Sequence, residues 1–475
     1  MKNILLIMIV LVFTSCEDLL IEEPKAIVSD NFYVNPEELE SAVNAIYSPL
    51  RATNHFGFLY PSQVEAYSDI VTRIGSTGTF TGVDATNTTR VEEIWRLSYL
   101  SIRNANLVIL NAPEASEVSE ADKEKYIAEA RFMRAFTYFI MIQNWEKLVL
   151  RTEKNINEPN VPLSNSDDVY NQIIEDLEYA EQHLPDDSSV AGRPTKWSAK
   201  AVLTNIYIVK ENYPEAYSRA DEIIKSNKFA LVEVEKWEDF QNLFGPDIIT
   251  TTEEIFYLKF NRSSGWVFPF ALHHPNSPYL NGGGFPSMFI DTIKHSVWKD
   301  WNRADLRKQL WYPWDFGQGP NTVFSRKFYD TEQVGNYAGN DYPFYRYADI
   351  LLYYAESACR LEDGPTDDAM EKLNMVHRRG YGKNSQQASE IDYKLADYPN
   401  SQSFLDLVFK ERGYETAMEG KRWLDIKRLG RDKVRELVKN GQGKDIADKH
   451  FTWPIPRAEI SLNDSVDGSE QNPGY

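Results

Sequence analysis

The chain has 475 residues, of which 42% are hydrophobic, so it can enclose one large core or two to three ordinary ones. Its formal net charge of −20 at pH 7 repels phosphate backbones, which excludes nucleic acid as an expected partner. The 27 Tyr, 24 Phe and 11 Trp residues suit a core or a binding surface, so their positions must decide between these two roles.

The N terminus is a short apolar stretch, MKNILLIMIVLVFTS, followed directly by Cys16. The stretch is too short for a stable transmembrane helix and is typical of a secretory signal. A Cys in this place is also where a bacterial lipoprotein is cleaved and acylated; a plain secretory signal with an incidental Cys is the alternative. The sequence predicts a lipoprotein signal peptide over 1–15, lipidation of Cys16 and an acidic tether over 16–30.

Helical periodicity dominates the following two hundred residues. Asn35 before Pro36 predicts one helix start, and Ser119 with Asp122 predicts a capping box at another. The helical segments are 35–50, 91–110, 119–145, 167–183, 196–211 and 214–226.

Short connections in this half require neighbouring helices to pair in antiparallel fashion. Small residues, such as Ala128 and Ala130, recur where such helices would touch. These features predict a mainly α fold with tetratricopeptide-like helix pairs in an α–α superhelix, although no strict 34-residue consensus recurs.

The pattern changes near residue 250, which predicts an N-terminal helical half over 31–250 and a C-terminal half over 251–475. The segment 253–260 alternates like a strand, and 261–345 is irregular and rich in Gly, Pro, Asn and aromatic residues. Helices resume over 347–362, 366–378 and 402–429, and the chain ends in a Pro-rich extended tail. The helical superhelix is therefore expected to support an irregular, loop-rich half with minor β structure.

A cluster of carboxylates in ERGYETAMEGKRWLDIKRLG raises the question of catalysis. Glu411, Glu415 and Glu419 are spaced i, i+4, i+8, which places them on one face of one helix. A glycosidase needs two carboxyl groups on opposite sides of a sugar, so we interpret these glutamates as ion-pair partners of Arg412 and Arg422. None of the seven His residues has metal-ligand spacing, and nucleophile and nucleotide motifs are absent from the sequence. The chain is predicted to be no enzyme and to need no cofactor or metal.

Aromatic residues concentrate in the irregular region, most densely in WYPWDFGQG. Rigid ring faces beside short polar side chains suit sugars, whose C–H faces stack while their hydroxyls form hydrogen bonds. The alternative for each ring is that it covers the helical core. The candidate ligand residues are Trp266, Tyr279, Trp301, Trp311, Tyr312, Trp314 and Asp315. Asp69 and Arg73, before a Gly/Thr-rich loop, are weaker candidates for another wall of the same pocket.

Several stretches, taken in order, carry a resemblance that extends nearly end to end. They are Cys16 with its signal, AEARFMRAFTYFIMIQNW (128–145), GRPTKWSAKAVLTNIYI (192–208), YRYADILLYYAESACRL (345–361), LNMVHRRGYG (373–382), the glutamate segment (411–430) and the WPIP…QNPGY end. Together they resemble the SusD/RagB family of outer-membrane nutrient-binding lipoproteins of Bacteroidetes. The HRR at 377–379 departs from the Arg-containing pattern that is more frequent in the family.

The resemblance implies four tetratricopeptide-like helix pairs and a surface-exposed lipoprotein held in the outer membrane by its lipid. It also implies a SusC-like TonB-dependent transporter as partner, to which glycans are delivered. Glu17 and Asp18 are similar to the export signal of surface lipoproteins in that phylum. The family motifs are framework residues, so they carry no ligand site and do not name the sugar.

Three hypotheses follow for the function. The first is a non-catalytic protein that binds an oligosaccharide or polysaccharide through its aromatic loops. The second is a tetratricopeptide scaffold that binds peptide or another non-sugar nutrient in its helical groove. The third is a hydrolase that uses Glu415.

Overall fold

The structure is a computed structural model that describes residues 32–74, 83 and 89–475. The predicted signal peptide, Cys16 and the tether lie outside these residues and stay predictions. Across the ranges that are described, no helix combines the length and the apolar character needed to cross a membrane.

The described residues form helices over most of their length. These are α1 (Pro36–Arg51), α2 (Leu59–Ala66), α3 (Thr89–Asn111), α4 (Glu120–Trp145), α5 (Ser166–His183), α6 (Lys196–Val209), α7 (Tyr213–Lys225), α8 (Gln241–Phe244), α9 (Ser296–Asp300), α10 (Tyr347–Leu361), α11 (Asp367–Gly380), α12 (Ser401–Glu415), α13 (Arg422–Lys427), α14 (Arg431–Gln442) and α15 (Arg457–Leu462).

The predicted helix starts are confirmed by their caps. The Asn35 side chain accepts a hydrogen bond from the Glu38 N–H at 3.0 Å, and the Glu38 carboxylate accepts one from the Asn35 N–H. The Ser119 hydroxyl likewise accepts from the Asp122 N–H at 3.2 Å. Each contact satisfies a backbone donor that the first helical turn leaves without a partner.

The helices pack in chain order. α1 lies against α3, α3 against α4, α4 against α5, α5 against α6 and α6 against α7, and α10 continues the array by packing on α7, α11 and α12. The mainly α, tetratricopeptide-like fold class is therefore confirmed. The array continues past residue 250, and residues of both halves belong to one hydrophobic core. The division of the chain into halves at residues 250 and 251 stays a prediction from the sequence.

The strands are short and pair antiparallel. They are β1 (Thr72–Arg73), β2 (Leu148–Val149), β3 (Leu163–Ser164), β4 (Glu254–Leu258), β5 (Met288–Asp291), β6 (Trp311–Pro313), β7 (Thr322–Ser325) and β8 (Tyr342–Arg346). β2 pairs with β3, and β4, the predicted strand, pairs with β8. The other four form one sheet in the order β1-β5-β7-β6, which organises the irregular region.

The predicted helix over 402–429 is divided into two. α12 ends at Glu415, and the turn that follows places Met418 and Gly420 at φ values of 67° and 69°. A Cβ atom on Gly420 would lie 2.4 Å from the Tyr342 hydroxyl, so glycine is required there. The buried Glu65 carboxylate accepts hydrogen bonds from both the Met418 and Gly420 N–H groups and holds the turn. The predicted helix is therefore interrupted at this turn, and α12 ends five residues before Gly420.

The C-terminal tail is fastened to the end of α4. Trp145 donates its indole N–H to the Pro454 carbonyl at 2.9 Å, and the Trp145 and Trp453 rings meet at 4.8 Å. The buried Asn472 side chain donates to two carbonyls, those of Trp145 and Trp453. Trp453 therefore anchors the predicted extended tail in the main core.

We expect Asn472→Ala to lower the free energy of unfolding by about 1–3 kcal/mol, because it leaves two buried carbonyls without a donor. The midpoint of thermal unfolding measures this loss. Ser469→Ala, an exposed change in the same tail, is the control. Equal midpoints for the two variants would contradict the assignment of Asn472 as the clamp.

Candidate functional site

The three glutamates that raised the question of catalysis are surrounded by cationic side chains. Glu411, Glu415 and Glu419 are at most 2% exposed. Glu411 lies 2.7 Å from Arg307, and Glu415 lies 3.2 Å from Arg307 and 2.8 Å from Arg346.

Arg346 is the centre of this network. Its guanidinium is fully buried and also contacts Glu419 at 2.7 Å and Glu253 at 2.5 Å. Lys327 contacts Glu419 at 2.5 Å as well. The ion-pair interpretation of the glutamates is confirmed, and their cations come from distant parts of the chain.

The expected cation partners, Arg412 and Arg422, were wrong. Arg412 pairs with Asp425 at 2.9 Å, and Arg422 pairs with Asp69 at 2.7 Å. Adjacent helix positions are about 100° apart around the axis, so Arg412 faces away from Glu411. Arg422 lies beyond the turn, at the start of α13, where sequence neighbours no longer share a face.

The cations keep these carboxylates charged. Burial alone raises the pKa of Glu411, but the Arg307 guanidinium and His377 outweigh it and lower the pKa to about 2. Burial opposes ionisation of Glu415 too, yet Arg379, Arg346 and Arg307 hold its pKa well below the usual value. Charged, enclosed carboxylates cannot flank a glycosidic bond, which argues against the hydrolase hypothesis at Glu415.

Trp266, Trp301 and Trp311 lie in the main core. The alternative that these rings cover the core, and do not contact a ligand, therefore holds for them. Their exposed fractions are 0%, 2% and 6%. The Trp266 indole donates to the Phe56 carbonyl, and that of Trp301 donates to Asp305. Trp301 also stacks on Tyr414 with ring centroids 4.4 Å apart. These rings therefore have no face to offer to a sugar.

The two weaker candidates are buried as well. Asp69 is held by Arg422, and Arg73 donates to the Ser62 carbonyl at 3.0 Å from strand β1. β1 pairs with β5, and Ile74 packs on the same small cluster of buried rings as Trp314. The loop expected to form another wall therefore begins next to the aromatic cluster, but residues 75–82 lie outside the described part of the chain.

Strand alternation separates the neighbouring rings of WYPW. Successive side chains of a strand point to opposite faces, so Trp311 enters the main core while Tyr312 and Trp314 share the other face. There Tyr312 packs with Phe289 and Phe324 in a second, smaller cluster, and Tyr279 and Trp314 lie half-buried on it. The sheet thus presents an aromatic surface on the side away from the main core.

This surface continues as a row of rings, which we call the aromatic row: Trp237, Tyr279, Tyr312, Trp314 and His274. Successive ring centroids are 6.5, 4.9, 6.3 and 5.0 Å apart. Tyr312 is buried beneath the row, and the other four rings are half-buried. Trp237 and His274 were not among the predicted ligand residues, because they join the row only through the tertiary fold.

Neutral hydrogen bonds fix the middle of the row. The Tyr312 hydroxyl lies 3.2 Å from the Ser277 hydroxyl and 3.2 Å from the His273 ring. Burial lowers the pKa of His273 to about 4, so this ring is uncharged at neutral pH. Burial also raises the pKa of Tyr312 to about 12. The platform is therefore rigid and without charge.

Two glycine-containing loops shape one end of the row. The exposed Asp315 accepts hydrogen bonds from the Gly317 and Gly319 N–H groups at 2.9 and 3.1 Å. A Cβ atom on Gly283 would lie 2.1 Å from the Pro275 carbonyl oxygen, so only glycine lets this loop pack against Pro275, the residue after His274. Asn281 and Gly282 form a turn in this glycine-rich segment.

Two family models match this chain, one in each half. A family model described as "SusD family" matches residues 315–475, and one described as "Starch-binding associating with outer membrane" matches residues 26–208. The chain belongs to the SusD/RagB family. The resemblance recognised in the ordered sequence stretches is therefore confirmed.

Relatives of this family align over almost the whole chain. SusD-like protein P2 of Formosa agariphila is 25% identical over 520 residues, covering 100% of this chain and 99% of the relative. A SusD homolog from Bacteroides thetaiotaomicron superimposes with a TM-score of 0.80 at 22% identity, covering 94% of this chain and 98% of the homolog. Surface glycan-binding protein A from the same species gives 0.74 at 20% identity, covering 93% and 100%. At these identities the two solved structures establish the fold.

We expect Glu415→Gln to lower the free energy of unfolding by about 3–5 kcal/mol, because it removes one carboxylate from a buried network and leaves the charges of Arg307 and Arg346 incompletely balanced. The midpoint of urea unfolding measures this effect. Glu436→Gln, which removes an exposed carboxylate from α14, is the control and should leave the midpoint unchanged. A stable Glu415→Gln protein that has lost an oligosaccharide-cleaving activity would instead restore the hydrolase hypothesis.

The network also predicts how stability depends on acid. The pKa of Glu411 falls from 4.5 to about 2 on folding, so its contribution is complete above pH 4.5 and is lost as the pH falls toward 2. Glu415, whose pKa is lowered in the same direction, adds to this loss. The midpoint of urea unfolding should decrease steadily as the pH is lowered from 4.5 to 2. A midpoint that stays constant or rises on acidification in this window would show that the carboxylates are not charged in the folded protein.

Proposed function

We propose that this chain is a non-catalytic glycan-binding protein whose site is the aromatic row. The observation that carries the proposal is the half-buried Trp314 ring, stacked with His274 at 5.0 Å and followed by the exposed Asp315. Aromatic faces that are rigidly held beside a few polar groups match the alternating C–H faces and hydroxyls of sugars. Of the predicted ligand residues, Trp314, Tyr279 and Asp315 are the ones that the proposal keeps as direct contacts.

The relatives support this assignment by what their names state. One matching family description refers to starch binding, and structural relatives include a laminarin-binding SusD-like protein and surface glycan-binding proteins. These names describe binding proteins, which agrees with the enclosed state of the glutamates here.

We further propose that the mature chain is held at the cell surface by a lipid on Cys16 and passes its ligand to a SusC-like TonB-dependent transporter. The predicted lipoprotein signal and the family description, which mentions the outer membrane, support this placement. Co-purification of the lipidated chain with a barrel transporter from outer membranes tests the partnership. Recovery of the chain without such a barrel, under conditions that preserve membrane complexes, would contradict it.

A second candidate function is peptide binding in the helical half. A groove of about 780 Å³ lies along α1, where Asn44, Ser48 and Arg51 face Arg193 and Lys259. Arg193 contacts Glu40, which also lines the groove, so the groove contains charges of both signs. Such a lining suits a peptide, whose backbone and side chains provide mixed polar groups.

We expect Trp314→Ala to reduce binding to the recognised polysaccharide about tenfold, equivalent to about 1.4 kcal/mol, because it removes the apolar ring face on which the C–H groups of a sugar would be buried. Affinity gels over a polysaccharide panel measure the change, and thermal unfolding should shift little. Trp197→Ala, which removes another half-buried Trp far from the sheet, is the matched control.

Two outcomes would contradict the proposal. Binding that survives Trp314→Ala but is lost on substitution of Asn44 and Ser48 would move the site to the helical groove. A large loss of thermal stability with retained binding would assign Trp314 to the core.

A further inference from the structure

We propose that the Trp237 end of the aromatic row recognises an acidic substituent of the glycan, a carboxylate or a sulfate ester, through Arg326. This inference rests on the proposed function and names the class of glycan that the site accepts. It follows from an ordered cation that lies at the row and has no acidic partner among the residues that the structure describes.

Three residues hold the Arg326 guanidinium in place. Its central carbon lies 3.4 Å from the centre of the Trp237 ring and 5.3 Å from that of Tyr279. One terminal nitrogen donates to the Tyr279 hydroxyl, and the other donates to the Gln309 carbonyl at 2.9 Å. All three partners are uncharged, so the guanidinium is positioned without being neutralised.

Arg326 differs in this respect from the other ordered arginines of the irregular region. Arg262 contacts Asp330 at 2.8 Å and Arg307 contacts Asp305 at 2.7 Å. No Asp or Glu oxygen in the described part of the chain lies within 4.0 Å of Arg326, and its Nε atom is buried without an acceptor. Glu238, next to Trp237, is exposed and falls outside that distance. An uncompensated guanidinium in a chain of net charge −20 is therefore a specific feature of this surface.

The chemistry of a guanidinium selects the ligand. Each terminal nitrogen carries two N–H groups, and Tyr279 and Gln309 use one each. The remaining donors lie in one plane, and this geometry matches a carboxylate or sulfate better than a neutral hydroxyl. Partial exclusion of water by Trp237 strengthens such a contact relative to one on an open surface.

The row is also electrically asymmetric. Arg326 provides a positive group near Trp237 and Tyr279, whereas Asp315 provides an exposed negative group beyond Trp314. An acidic sugar is attracted to the first end and repelled from the second. The glycan is thereby oriented, with its acidic residue over Trp237 and a neutral residue over Trp314.

A purely structural role for Arg326 makes a different prediction. If the guanidinium only braces Trp237 against Tyr279, its removal lowers thermal stability and weakens acidic and neutral glycans equally. If it contacts the ligand, its removal weakens acidic glycans selectively.

Matched glycan pairs separate these two roles. The probes are galacturonan with and without methyl esterification, and a β-glucan with and without sulfation, titrated calorimetrically against the full mature protein. We expect the acidic member of at least one pair to bind about tenfold tighter than its neutral member, with the difference decreasing as ionic strength rises. Arg326→Met should abolish the difference, and Arg326→Lys should keep part of it. Arg435→Met, which removes a partly exposed cation on α14, should leave it intact.

The outcomes distinguish this inference from the proposed function. Neutral members that bind as tightly as the acidic ones, or an acidic preference that survives Arg326→Met, would overturn the role of Arg326. If that binding still depends on Trp314, the proposed function stands. Absence of binding to every glycan of a wider panel would overturn both.

Discussion

The fold depends on one buried interaction, the contact of Arg346 with Glu253, Glu415 and Glu419. Arg346 ends strand β8 and caps α10, Glu253 precedes β4, and the two other glutamates end α12 and occupy the turn after it. Each charge would be costly to bury alone, so these four parts of the chain can pack only when all are in place. The network thereby links the helical array to the strands, and the turn it stabilises is the same one that Glu65 holds from α2.

Above this frame, the four-stranded sheet has two faces with different tasks. One face seals the main core with Trp311, and the other carries Tyr312 and the accessible rings of the aromatic row. Side chains on this short strand alternate between the two faces of the sheet. For this reason Trp311 is a core residue and Trp314 is a surface residue. A binding surface built this way is rigid, which limits the entropy lost when a ligand orders on it.

The proposed glycan site and the proposed preference for acidic glycans share this surface. The first depends on stacking of sugar rings, and the second depends on electrostatic attraction. Stacking on Trp314 and Tyr279 is tolerant of sugar identity, since every sugar ring has C–H faces. Arg326 adds a charge that has no counter-ion among the described residues and therefore discriminates between ligands. A single row can in this way combine general affinity for glycans with a preference for one chemical class, and Asp315 at the far end sets its direction.

The sequence by itself determined the helices, their caps at Asn35 and Ser119, the strand at 254–258 and the family, because these depend on local periodicity and on ordered motifs. It also indicated that the glutamates of α12 form ion pairs rather than an active site. Only the tertiary structure decided which cations they meet, since Arg307, Arg346 and Arg379 are separated from them along the chain by tens of residues. It alone also decided which aromatics are accessible and which, like Trp266 and Trp301, are buried. Trp237 and His274 in the row, and Arg326 beside it, come from three separate segments of the chain. Long-range packing brings them together, so no local sequence pattern predicts this surface.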